Sequence, residues 1–497
     1  MGPPAGAPFR GQGRDAPPAV RRTLRSGGGN PKPGPALLLS TFCFLFCLAF
    51  PRQPPLSEFN YMGHMRNLLW LGMALPMLTP AAGNNFRITA AQAGGWLSWT
   101  NAFPCGVCTV ETAPQLNGPN GQPAWVCGQN FFTTNSAGTG GFPPPAGNAF
   151  FRVLAADLSS NSPPAFTNLV QSYGLLHTIA GSGAEAGKDG VNYWQPGFEG
   201  GYATNAALSR PHFAMADNAG NVFIVDKNSD SVLKVTPDGR IHTVAGTHAI
   251  GNGPDTPNPG TNVAMDLPNG LWVRGDGTVY VLDTGNGKVR RLDTNGLMTT
   301  LFTDTNGISG GRGLWVRSDG ALVYYASGSK LRQWIPAKGT STLNNDFNDL
   351  GNIILSGTNL VATDRGDNTV WLVTTNKGAR TLLFGNGGTN LVVDGSPALT
   401  NSLYGVRGVW QPPTGGYFLA TDYGAQFLYV DLAGVIHIFV AGDNDDHAGD
   451  GQWFYNAPTV PKFGQLRSVS MDTLGNLIIV ENDVGYVRRI DFHRLTP

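Results

Sequence analysis

Three histidines recur in one phrase, and histidine is the commonest side-chain base near neutral pH and a frequent metal ligand. His177 lies in "LLHTIAG" (175–181), His242 in "IHTVAG" (241–246) and His437 in "IHIFVAG" (436–442). The same phrase at three distant places implies one structural position used three times. Side chains spread around a repeat in this way do not converge on one metal ion. The stretch "DNDDHAGDG" (443–451) offers carboxylates, the hard oxygen ligands that calcium prefers. Its candidate ligands are Asp443, Asp445 and Asp450, although the spacing is not that of an EF-hand loop. "CGVC" (105–108) suggests redox or zinc chemistry, but zinc needs four Cys/His ligands and no second pair lies near. Cys108 alternates with Val110 and reads as a small buried apolar side chain. Cys105 is then the expected disulfide partner of Cys127. "GNGK" (285–288) is a hairpin turn, because no helix follows to make a phosphate loop. No Ser-His-Asp or G-x-S-x-G pattern stands out.

These residues sit on a repeat. Units begin near 210, 267, 311, 350, 407 and 466, each with an apolar strand, a turn such as "DG" or "GN", a V-x-V-x-D strand, a polar strand and a closing strand. A marker residue ends the second strand: Asp226, Asp283, Ala326, Asp364, Asp422 or Glu481. Four short strands in about 40 or more residues make a propeller blade. The sixth unit stops at "VRRIDFHRLTP" with three strands. "LLHTIAG" supplies the missing fourth from the N-terminal side, which closes the ring and removes an open sheet edge. The predicted fold is therefore all-β: a six-bladed propeller over 174–497, preceded by a small β-sandwich over 84–158 and a linker over 159–173.

The innermost strand of each blade lines the central channel. The residues just before these strands are His212, Asn269, Arg312, a position near Leu350, Arg407 and Arg467. They should ring one mouth of the channel. Three guanidinium groups there suit a carboxylate, sulfate or phosphate and repel a divalent cation. Alternatively each arginine pairs with a nearby carboxylate, such as Asp364 or Asp422, and staples blades together.

Through "NVFIVDKNSDSVLKV", "TVYVLDTGNGKVRRL" and the "AG" phrases, the repeat resembles the NHL family of propellers. That resemblance covers about 174–497 and implies a six-bladed fold. It implies no single function, since such propellers include binding scaffolds, sensor domains and a few enzymes. The amidating lyases among them hold zinc with several channel histidines. Here only His212 fits, and arginines stand in the other places. This departure argues against the lyase and against calcium-dependent lactonases. The runs "WLSWT", "VCTVETA", "AWVCGQNFF" and "NAFFRVLAADL" resemble small fibronectin type III-like modules of secreted bacterial proteins.

Composition agrees with a turn-rich β protein: 68 glycines in 497 residues, and 13% charged residues where about 25% is usual. Net charge is zero, so no nucleic-acid partner is expected. Residues 1–83 read as leader. "ALLLSTFCFLFCLAF" (36–50) is too short to span a bilayer comfortably and resembles the core of an export signal, or alternatively an anchor. "MRNLLWLGMALPMLTPAAG" (65–83) is a second candidate signal, with Met62 or Met65 as its expected start. Both imply an extracellular, periplasmic or cell-surface protein; a monomer is expected, and no cofactor. The expected function is a binding scaffold for a protein or small anionic ligand at the channel mouth, the alternative being a lyase or hydrolase using His212 there.

Overall fold

The computed structural model describes residues 46–48, 86–92, 95–118, 122–141, 149–184, 189–441, 447–454 and 461–493. Most of the leader, including both candidate signals apart from 46–48, lies outside the described residues, as do Asp443 and Asp445. Phe46–Leu48 forms a strand beside Ala149–Phe151. Among the described residues no helix is long and apolar enough to cross a membrane.

Alternating apolar residues and glycine turns produce six antiparallel meanders arranged as a six-bladed β-propeller. The inner strands, in chain order, are Pro211–Ala216, Pro268–Val273, Leu314–Val316, Leu350–Ser356, Val406–Trp410 and Leu466–Met471. Each packs against the next, and the last packs against the first, so they form a closed ring. The sixth blade runs Leu466–Met471, Leu477–Glu481, Tyr486–Ile490 and then Leu175–Ala180. Its closing register pairs Val487 with Ala180 and Ile490 with Leu176, as the repeat pattern requires. Leu176 is fully buried there.

In front stands a β-sandwich. One sheet holds Gly106–Ala113, Val126–Thr133 and Ala149–Asp157, the other Arg87–Gln92, Trp96–Thr100 and Gly138–Gly141. Ile88, Leu97, Trp99, Cys108, Val110 and Val153 share its core. The expected Cys105–Cys127 disulfide is absent. Gly106 faces Thr133 while Cys127 faces Glu111, so Cys105, one residue before Gly106, lies about six residues from Cys127 along the ladder. At about 3.3 Å per residue that far exceeds the ~7 Å between Cα atoms that a disulfide can span. Cys105 Sγ instead donates to the Thr414 carbonyl at 3.3 Å, and Cys127 Sγ to Asn130 Oδ1 at 3.7 Å. The expected linker is not slack either. Residues Ala165–Gln171 form a helix that buries Leu169 and Val170 against the fifth and sixth blades, and Phe132 stacks on Phe492 at 4.3 Å.

Candidate functional site at the channel mouth

Five of the six inner strands begin with an irregularity, the exception being Leu314–Val316. Asp226 pairs with Pro211 and Val225 with Phe213, which leaves His212 unpaired. Asn269, Arg407 and Arg467 are skipped in the same way in their blades. A bulged residue does not share the ladder's alternation, so its side chain is re-aimed. Here the bulges turn these side chains to one mouth of the ring. Gly351 and Asn352 are skipped together in the fourth blade. Gly351 thus fills the position left open near Leu350. It has no room for a side chain: a Cβ would stand 2.4 Å from Thr363 Oγ1 and 3.0 Å from the Arg407 carbonyl.

The structure brings His212, Arg312, Arg407 and Arg467 together, with Phe213, Gly351 and Asn352, around a cavity of no more than about 250 Å³. Asn269 is buried at the matching position of its blade but does not line the cavity. The three arginines have carboxylate partners, though incompletely. Arg407 Nη2 meets Asp422 Oδ2 at 2.7 Å, Arg312 Nη1 meets Asp349 Oδ1 at 2.9 Å, and Arg467 Nη2 meets Asp483 Oδ1 at 3.3 Å. Arg467 Nε lies 3.6 Å from Asp422 Oδ1, too far for a hydrogen bond. Among the described residues, Arg312 Nε, Arg407 Nε and Nη1, Arg467 Nε and both ring nitrogens of His212 are buried and make no hydrogen bond. Of the two carboxylates expected to staple the arginines, only Asp422 does so. Asp364 caps the backbone, accepting from the amides of Asn348 and Asp349 at 2.9 and 3.0 Å.

Further charges surround the ring. Arg365 joins Asp349 at 2.7 Å and Asp422 at 3.1 Å. Arg210 joins Asp189 and Asp483, and Lys227 reaches Asp189 at 3.5 Å. Arg210 holds a φ of 75°, a region that long side chains rarely adopt, immediately before Pro211. Six cations therefore share four carboxylates in this network, a surplus of two positive charges. Lys227 and Arg365 each follow a marker carboxylate by one residue, a positional signal in the repeat that points to the mouth. Burial first, then Arg467 and Arg312, then Lys227 and Arg210, hold His212 well below the usual histidine range, so it is neutral at pH 7. Burial pushes the Arg467 guanidinium down to about 10, where it remains charged at neutral pH.

The remaining candidates do not converge here. His177, His242 and His437 lie on outermost strands, beside Asp491, Glu199 and Asp431 respectively. Asp450 turns inward to Arg488 Nη2 at 2.8 Å and accepts from Thr178 Oγ1 at 2.6 Å. One of its oxygens is thus bound to a guanidinium, which disfavours a metal ion there.

No family model matches the chain, and no curated protein matches it. Solved structures do resemble it. A Bacteroides thetaiotaomicron protein of unknown function aligns over 80% of this chain and 93% of its own, with a TM-score of 0.51 and 13% identity. An auxiliary nutrient binding protein from Bacteroides ovatus aligns over 82% and 96%, with a TM-score of 0.47 and 13% identity. Streptogramin B lyase aligns over 57% and 94%, with a TM-score of 0.40 and 15% identity. At such identities the likeness concerns the fold. Fold and site together define a β-propeller whose channel mouth gathers three arginines and a neutral histidine.

Proposed function

We propose that this chain is an exported, NHL-like propeller that binds an anionic group at the channel mouth, with a fibronectin type III-like module packed on its side. The observation that carries this is the set of buried guanidinium N–H groups on Arg312, Arg407 and Arg467 that have no acceptor within the protein. A buried donor left without a partner costs about 1–3 kcal/mol, and an anion supplies the missing acceptors and offsets the charge surplus. The small cavity suits an anionic group inserted from a ligand or partner protein rather than an engulfed drug-sized molecule. Calorimetric titration of the full chain with small oxyanions tests this. Binding should weaken as salt rises, and Arg407→Ala should reduce affinity by about tenfold or more. Salt-independent binding, or equal affinity in the variant, would exclude the mouth as the site.

A second reading rests on His212. A neutral imidazole with both nitrogens unengaged inside a cationic cavity is equipped for proton transfer to or from a bound anion, as in a lyase or hydrolase. On this reading His212→Ala abolishes turnover of a substrate that Arg407 still binds.

A further inference from the structure

Neutral imidazole carries one N–H donor and one bare nitrogen acceptor. His212 is 6% exposed, lines the cavity, and engages neither nitrogen within the protein. The unpartnered N–H groups of the arginines that line the same cavity ask for acceptors only. A simple anion such as sulfate or acetate offers acceptors to the arginines and to one histidine nitrogen, but has no proton to donate to the other. We propose that the mouth selects an oxyanion that bears its own hydroxyl, as hydrogenphosphate or a hydroxy-carboxylate does, with that hydroxyl donating to the bare nitrogen of His212.

The inference rests on the anion-binding reading above and adds the ligand's chemical class. Arg467 and Arg312 line the cavity beside His212, and Lys227 and Arg210 add their charge to the field at its ring. These four cations oppose protonation of the ring, so the histidine cannot simply turn its acceptor into a second donor. Arg407 contributes Nε and Nη1, each of which shares an edge of the guanidinium with the Asp422-bound Nη2 but not with the other. It therefore reaches separate oxygens instead of gripping one pair. Together, donors from three blades and an acceptor from a fourth describe a ligand group rich in oxygens with one proton among them.

Two matched pairs of probes test the idea on the full chain by calorimetry. Phosphate is compared with sulfate at about pH 8, where both are close to dianionic but only phosphate retains a hydroxyl. Glycolate is compared with acetate. Preference for the hydroxylated member of either pair by about tenfold or more is the expected result. Preference only in the first pair identifies a phosphate-type ligand, and only in the second a hydroxy acid. His212→Phe should reduce that preference to near unity while anions still bind. His212→Gln, whose amide oxygen can accept, should restore part of it and guards against a variant that fails to fold. Equal binding within both pairs overturns the hydroxyl inference and leaves the anion site standing. Absence of binding by all four probes overturns both.

Discussion

Gly351 is the smallest residue of the ring and among the most constrained. Its missing side chain lets the Arg407 backbone and Thr363 approach, and Thr363 Oγ1 donates to the Arg407 carbonyl at 2.7 Å. Gly351→Ala should cost about 1–3 kcal/mol in urea unfolding, as overpacking does elsewhere, and should weaken anion binding by displacing Arg407. An unchanged affinity would show that Arg407 is held by other means. At this scale the sequence was readable where repeat position decides the outcome. The positions of His212, Arg312, Arg407 and Arg467 followed from counting back from each inner strand. Gly351 was harder to assign because two residues are skipped in its blade. Asp349, Asp483 and Arg365 were missed because each has one partner in a neighbouring blade, Arg312, Arg210 and Asp422 respectively, which the spacing within one unit does not reveal. The pairing of Cys105 with Cys127 failed because nothing in the local spacing reveals that a cross-strand register holds them apart.

The third strand of three blades carries a buried arginine tied to carboxylates and to a threonine of the fourth strand. Arg290 bonds Asp283 at 2.6 Å and Thr300 at 3.1 Å, and Arg332 bonds Asp304 at 2.6 Å and Thr342 at 2.9 Å. In the sixth blade Arg488 bonds Asp450, and Thr178 from the N-terminal strand donates to that same carboxylate. Thr300 does likewise to Asp255 at 2.6 Å in the second blade. The borrowed strand thus copies the polar contacts of a native fourth strand as well as its apolar ones. His447 joins this cluster, stacked on Tyr486 at 3.7 Å and facing Asp450 and Glu481. Burial alone would lower its pKa, but hydrogen bonds to Asp450 and Glu481 outweigh that and raise it. Its stabilising charge is therefore complete below the unfolded value of about 6.5 and is lost as pH rises through the folded value. The difference in Tm between the wild type and His447→Gln should shrink as pH is raised from about 6 to about 8.5. A difference that stays constant would assign His447 a packing role only.

For the whole molecule, closure was the most legible feature, since a unit short of one strand and a spare strand upstream have one economical solution. Leu176→Ala should lower stability by about 2–5 kcal/mol, as loss of a fully buried leucine does. Deleting 174–182 should expose the edge of Tyr486–Ile490 and drive self-association, visible by size-exclusion chromatography. A monomeric, stable deletion product would refute the closure. The same seam also imposes an order in time. Ser182, just beyond the N-terminal strand, accepts a hydrogen bond from Tyr486, 304 positions later. At roughly 5–20 residues per second, the early strand is made about 15–60 s before its partner exists. Five blades can assemble as they emerge, but the ring is completed only when the last strand arrives. A channel mouth that includes His212 of the first blade and Arg467 of the sixth is therefore assembled last, and only chains that carry the sixth blade can acquire it.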